Sequence, residues 1–111
     1  MYYNGEGVKQ DYHKAVEWYQ KAAIQGDASA QCNLGYMYHN GQGVKQDYFK
    51  AVEWYQKAAE QGDASAQYNL GVMYYDGEGV RQNYTKAKEY FGLACDNKDQ
   101  DGCDMYKKLN Q

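Results

Sequence analysis

The segment NGQGVKQDY, residues 40–48, sets two glycines around one polar residue, then a valine, then a polar run into a tyrosine. Such a stretch can cradle a phosphate or turn a corner. It recurs: NGEGVKQDY occupies 4–12 and DGEGVRQNY occupies 76–84, so the motif returns every 36 residues. Overlaying 1–36 on 37–72 leaves six differences, so 30 of 36 positions are identical. Met1, Met37 and Met73 align, as do Trp18 and Trp54, while the third copy diverges, with Tyr90 at the tryptophan position and Phe91 opposite Tyr55. Self-similarity at such a period marks a solenoid or array. A dinucleotide-binding loop needs a third glycine and a preceding strand, and Gln46 stands where that glycine belongs. All three copies therefore read as corners between helices. Gly41 is expected at positive φ and Gly43 in a second unusual dihedral, with Val44 plugging the open end of a helix pair.

Each period holds two helices. In DASAQCNLGYMYHN, 27–40, Ala30, Leu34, Met37 and Tyr38 recur at helical spacing. Asp27 is a natural N-cap and Gly41 a left-handed stop. In QDYFKAVEWYQKAAEQG, 46–62, the stripe is Ala51, Trp54, Tyr55, Ala58 and Ala59, with Asp47 in the first turn and Gly62 at the end. Ala51, Ala58, Ala59 and Gly35 let backbones approach, and Tyr38, Trp54 and Tyr55 fill the gaps. The spacing predicts helices near 11–25, 27–39, 47–61, 63–75, 83–97 and 99–110 and an all-α fold, a solenoid of antiparallel helix hairpins in one domain, 1–111. Within it, 1–26 is a repeat lacking most of its first helix, because Met1 aligns with Met37 late in a first helix. Complete repeats follow at 27–62 and 63–98. Residues 99–111 form a closing helix in which Tyr106-Lys107 replaces Leu-Gly and Met105, Tyr106 and Leu109 keep the apolar stripe. With part of their stripe uncovered, Ala15, Trp18, Tyr19 and Ala22 are expected to form an N-terminal edge that supports self-association or docks onto upstream repeats.

Composition agrees with this architecture and excludes several others. Of 111 residues, 43% are apolar and 14 are tyrosine, and proline is absent, which suits uninterrupted helices. A net charge of −3 argues against a nucleic-acid or anionic-membrane surface, which needs a basic field. No apolar run approaches the roughly 20 residues that span a bilayer, so no membrane insertion is expected. The start MYYNGEGVK has neither a basic nor an apolar leader region.

The residues AQYNLGVMYYDGEGVRQNYTKA, 66–87, together with WYQKAAEQGDA, 54–64, resemble the Sel-1-like repeat (SLR), a relative of the tetratricopeptide repeat. The resemblance covers nearly the whole chain, through Ala-x3-Leu-Gly-x2-Tyr, Gly-x-Gly-Val and Ala-x2-Trp-Tyr-x2-Ala-Ala-x2-Gly-Asp. It implies a right-handed superhelix, a bacterial source, and a non-catalytic scaffold or adaptor that binds a protein or peptide in its concave groove. The cysteine-rich secreted branch of the same family forms disulfides across interhelix turns, and CDNKDQDGC, 95–103, is similar to it. That resemblance implies a Cys95–Cys103 bridge and a periplasmic or secreted protein. The alternative is two free thiols in a reducing cytoplasm. Cys32 is left as a free thiol.

Catalytic and metal chemistry find little support. His13 and His39 lie on different elements, and no cysteine or histidine cluster has zinc spacing, so no metal or cofactor is expected. Ser29 and Ser65 sit in DASAQ, which matches no nucleophile motif. Some cysteine-rich relatives are described as penicillin-binding or weakly β-lactam-hydrolysing, which is the enzymatic alternative. A structural segment of a longer solenoid is the third reading. The near-identical copies differ at Tyr3/His39, Glu6/Gln42, His13/Phe49, Ile24/Glu60, Cys32/Tyr68 and Tyr36/Val72. By analogy with tetratricopeptide repeats, the concave face holds Ser29, Cys32, Tyr36 and His39, and one repeat on Ser65, Tyr68, Val72 and Tyr75. Three of the six differences fall in this set, and tyrosine combines contact area with a polar handle. These eight residues are the expected protein-binding surface.

Overall fold

A computed structural model describes the backbone of residues 5–110; residues 1–4 of the expected N-terminal remnant, and Gln111, lie outside it. Among the described residues there are six helices and no strand: α1 Gly5–Ile24, α2 Ala28–Asn40, α3 Tyr48–Glu60, α4 Ala64–Asp76, α5 Tyr84–Asp96 and α6 Gln100–Leu109. Each packs against the next in chain order, and the stack measures 46 × 25 × 25 Å.

The helix limits follow local chemistry. Asp27, Asp47, Asp63, Asn83 and Asp99 are extended N-caps whose side chains accept from the backbone N–H three residues on, at 2.9–3.1 Å. At the other end of α2, Gly41 takes φ 68° and donates its N–H to the Met37 carbonyl. The chain then turns, and Asp47 N–H returns to the Tyr38 carbonyl at 2.9 Å. Gln46 Nε2 donates to the His39 carbonyl at 2.9 Å. The corner after α4 repeats this with Gly77, Asn83 and Gln82. The corner's amides are thus spent on helix C-terminal carbonyls, the negative end of the dipole, which is no place for a phosphate.

The second glycine of the corner has a different job. Gly43 and Gly79 also have positive φ, 74° and 70°. A Cβ on Gly43 would stand 2.5 Å from the Tyr12 carbonyl oxygen, and one on Gly79 would stand 2.6 Å from that of Tyr48. The corner of each repeat therefore rests backbone to backbone on the second helix of the repeat before. Val44 and Val80 are half-buried against the cores beneath them.

The first copy departs from the expected corner. Residues 5–10 continue α1 rather than turning, so that helix begins six residues before the expected 11. The corner's hydrogen bonds come from the carbonyls of a preceding helix end, and the equivalent positions, 1–3, lie outside the described residues.

The core has two centres. Leu34 and Met37 meet Val16, Ala23 and Ala30, while Tyr55, Ala58, Leu70 and Met73 form the second centre. Gly35 lies against the Tyr55 ring and Gly71 against Phe91, each so closely that a Cβ would come within 3 Å. Fully burying one such large side chain contributes about 1.5–3 kcal/mol. Buried amides tie successive hairpins: Gln31 Nε2 donates to the Ala23 carbonyl and its Oε1 accepts from Gln61. One repeat on, Gln67 Nε2 donates to the Ala59 carbonyl and Oε1 accepts from Asn97.

The two ends differ. Trp54 is half-buried under the Lys57 ammonium, but Trp18, its counterpart on α1, is 74% exposed. Ala15, Tyr19 and Ala22 are half-buried against α2. At the other end α6 buries only Gly102. Met105 and Leu109 are half-buried, Tyr106 is exposed, and Lys107 and Lys108 face solvent. Cys95 on α5 and Cys103 on α6 stand at disulfide distance, with Cα atoms 4.4 Å apart.

Candidate functional site

The first helices of the hairpins, α2, α4 and α6, share one face. Between them is a cavity of about 360 Å³ lined by Cys32, Asn33 and Tyr36 of α2 and by Ser65, Tyr68 and Asn69 of α4. Asp99 and Asp101 of the α6 start complete it. Four of the eight expected surface residues, Cys32, Tyr36, Ser65 and Tyr68, therefore converge. Ser29 is exposed in the first turn of α2, away from that cavity's lining. Val72 is half-buried further along α4.

His39 and Tyr75 sit at the far ends of their helices. His39 Nε2 lies 3.1 Å from Glu78 Oε1 in the next corner, and its ring meets Tyr48 and Tyr55 edge-on. It ties two repeats together. Tyr75 leans on Tyr84 at 5.1 Å between centroids and lines a separate opening with it.

Cys32 is more buried than a surface contact would be, at 8% exposure. It forms the floor of the cavity and belongs to the core at once. Burial, then the carboxylate of Asp63, pushes its thiol up to about 12, so it is a protonated apolar group and not a nucleophile. Its counterpart Tyr68 instead lays its ring on Phe91, 5.4 Å between centroids. Burial, with Asp101 and Asp99 in turn, raises the Tyr68 hydroxyl. Tyr36 is 50% exposed at the cavity rim.

The period and the copy differences did not point to Asn33, Asn69, Asp99 or Asp101. The asparagines are one repeat apart and identical, and identity between copies looks like core. Their amides can both donate and accept, which suits an extended backbone. The aspartates enter only because α6 begins beside α4.

A larger opening, about 670 Å³, lies between α5 and α6 and is lined by Lys88, Leu93, Cys95 and Tyr106 among others. Lys88, Cys95 and Tyr106 stand one repeat on from Val52, Ala59 and Leu70, which are buried in the interior. It is the open edge of the stack, not a built site. Among the described residues no three His, Cys, Asp or Glu side chains converge to hold a metal ion, and no helix is long and apolar enough to cross a membrane. Ser29 and Ser65 are exposed in helix first turns, His13 is exposed on α1, and His39 is engaged with Glu78.

The Sel1 repeat family model matches residues 1–27, 28–63 and 64–99. The chain belongs to the Sel1-repeat family. Its fold is that of solved SLR proteins. It is similar to a protective antigen of uropathogenic Escherichia coli that displays an SLR fold, with 48% identity and a TM-score of 0.82 over 90% of this chain and 21% of that one. A Sel1 repeat protein from Oxalobacter formigenes has 40% identity and a TM-score of 0.78, over 81% and 37% of the two chains. Cysteine-rich protein B of Helicobacter pylori has 32% identity and a TM-score of 0.78, over 81% and 68%. The chain thus spans about a fifth of the first of these proteins and about a third of the second. A comparison with curated protein sequences finds no match. Sel1-repeat proteins generally mediate protein–protein interaction.

Proposed function

We propose that this chain is a non-catalytic interaction module that holds a protein segment or peptide along the face of α2, α4 and α6, its concave groove. One observation carries the reading. The cavity on that face is lined by Cys32, Tyr36 and Tyr68, drawn from the few positions at which two otherwise identical copies differ, while Leu34, Met37, Leu70 and Met73 keep the core unchanged beneath them. Two of the six differing positions thus line an accessible, tyrosine-rich hollow, which suits partner recognition. The rival reading, β-lactam binding or hydrolysis, would need a base beside Ser29 or Ser65, and both histidines are placed elsewhere.

The test is a double variant. Tyr68 and Tyr75 each rest on one aromatic neighbour and are half-buried. Replacing both by alanine should weaken partner binding at least tenfold, since interface tyrosines cost about 2 kcal/mol or more when truncated. The thermal midpoint should fall by only a few degrees. Unchanged binding to a partner captured by the wild type would overturn the assignment, and nitrocefin turnover would favour the rival.

A further inference from the structure

We infer that the cavity between α2, α4 and α6 receives a lysine or arginine side chain, so that the partner segment is a basic one. The inference rests on the binding-face reading above and adds the chemical class.

The first observation is charge. Asp99 and Asp101 line the hollow, and no cationic side chain lines it. Asp99 uses one carboxylate oxygen to cap Gly102, which leaves the other free. Asp101 accepts no hydrogen bond from another side chain among the described residues. Their effect reaches Tyr68, whose hydroxyl is raised by burial and then by both carboxylates.

The second observation is shape. At the equivalent place one repeat on, the Tyr68 ring covers Phe91. Cys32 replaces that ring with a thiol, and the hollow beside it is framed by Tyr36 and Tyr68. Aromatic faces attract cations, and the aliphatic stem of lysine or arginine packs on such walls.

Beside Cys32 the Tyr55 hydroxyl is fully buried and has no hydrogen-bond partner, but it does not line the cavity, so an incoming cation meets the two carboxylates and the tyrosine faces. An acidic side chain would meet two carboxylates, and an apolar one would leave them without a partner.

The experiment selects binders from a displayed random-peptide library on the intact protein. It then measures synthetic lysine-, glutamine- and glutamate-containing versions of a selected peptide by fluorescence anisotropy, at low and moderate salt. The expected result is enrichment of Lys and Arg and an order of lysine above glutamine above glutamate. Asp101→Lys should weaken the lysine peptide by roughly tenfold, since it replaces attraction by repulsion. Cys32→Tyr, which installs the residue of the next repeat, should weaken it as well by filling the hollow. Asp101 is exposed, so its variant is expected to fold, and circular dichroism checks both. Binders without basic enrichment that still depend on Tyr68 would overturn the charge inference and leave the groove reading intact. Binders indifferent to both Tyr68 and Asp101, or no binder at all, would overturn both.

Discussion

Gly79→Ala separates the two glycines of the corner. The φ of Gly79 is 70°, where a Cβ costs about 1–2 kcal/mol by itself. That Cβ would also stand 2.6 Å from the Tyr48 carbonyl oxygen and 2.8 Å from its carbon. Both are main-chain atoms at the start of α3 and cannot rotate away, so the corner must lift from the preceding repeat. Forcing an extra methyl into packed structure costs about 1–3 kcal/mol, for a total of about 2–5 kcal/mol. Gly62→Ala is the control, because its φ is 91° but nothing lies within 4 Å of the added carbon. Only the backbone term, about 1–2 kcal/mol, remains there. Gly77→Ala falls between, at φ 72° with the Gln82 side chain at 3.2 Å. In a domain of this size each kcal/mol moves the midpoint by about 3–6 °C. Gly79→Ala should therefore melt about 5–15 °C below Gly62→Ala when both are followed by circular dichroism and checked by urea unfolding. If the two variants melt together, the close approach of the second glycine does not hold the repeats in place, and the account of the corner fails.

Other outcomes follow from single contacts. Tyr55→Phe removes a buried hydroxyl without a partner and should raise the stability of the free protein by about 1 kcal/mol, measured by urea unfolding. Cys32 holds its proton in the folded chain up to about 12, against an ordinary value of 9.0. The folded state therefore retains a proton that the unfolded state loses, so stability should fall as pH rises from 9 towards 12, less steeply in Cys32→Ala. Native, non-reduced protein should show no thiol that reacts promptly and one after denaturation, since Cys32 is buried and the other two cysteines are paired. Replacing Cys95 and Cys103 by alanine should cost about 2.5 kcal/mol on the loop-entropy account and loosen hydrogen-exchange protection chiefly in α6. Concentration-dependent sedimentation, if seen, should vanish in Trp18→Lys, because that ring is 74% exposed and an apolar edge of this kind adheres.

Helix type and limits were legible because their causes are local. A cap such as Asp27 that accepts from the N–H three residues on, and a glycine after the last turn, act within one stretch of chain. The pairing of Gly35 with Tyr55 was also within reach, since small and large residues alternate along facing stripes. The contact of Gly43 with Tyr12 was not, because it joins residues 31 apart in sequence through main chain that carries no side-chain signature. The start of α1 was misplaced because the Gly-x-Gly-Val pattern that turns after α2 and α4 is helical at residues 5–8. At the candidate site, register and copy differences led to Cys32, Tyr36 and Tyr68. Asp99 and Asp101 escaped because they serve α6 as cap and first-turn charge and reach the cavity only through the packing of α6 beside α4. The orphan hydroxyl of Tyr55 is a property of the packed interior that no pattern of apolar residues encodes.

The seat of Gly79 on Tyr48, and of Gly43 on Tyr12, sets part of the stacking step in the main chain, beside the side-chain ties of Gln31, Gln67 and His39. Side chains facing the groove can then be exchanged without altering the pitch at which hairpins succeed one another. A duplicated copy inherits the same step as its parent on its first appearance, before any residue of its own has changed. Whatever distance separates Cys32 from Tyr68 would separate Tyr68 from its successor in any longer array, so a chain of such units would present its contacts as evenly spaced marks on a ruler. Recognition could then be rewritten one mark at a time while the ruler kept its scale.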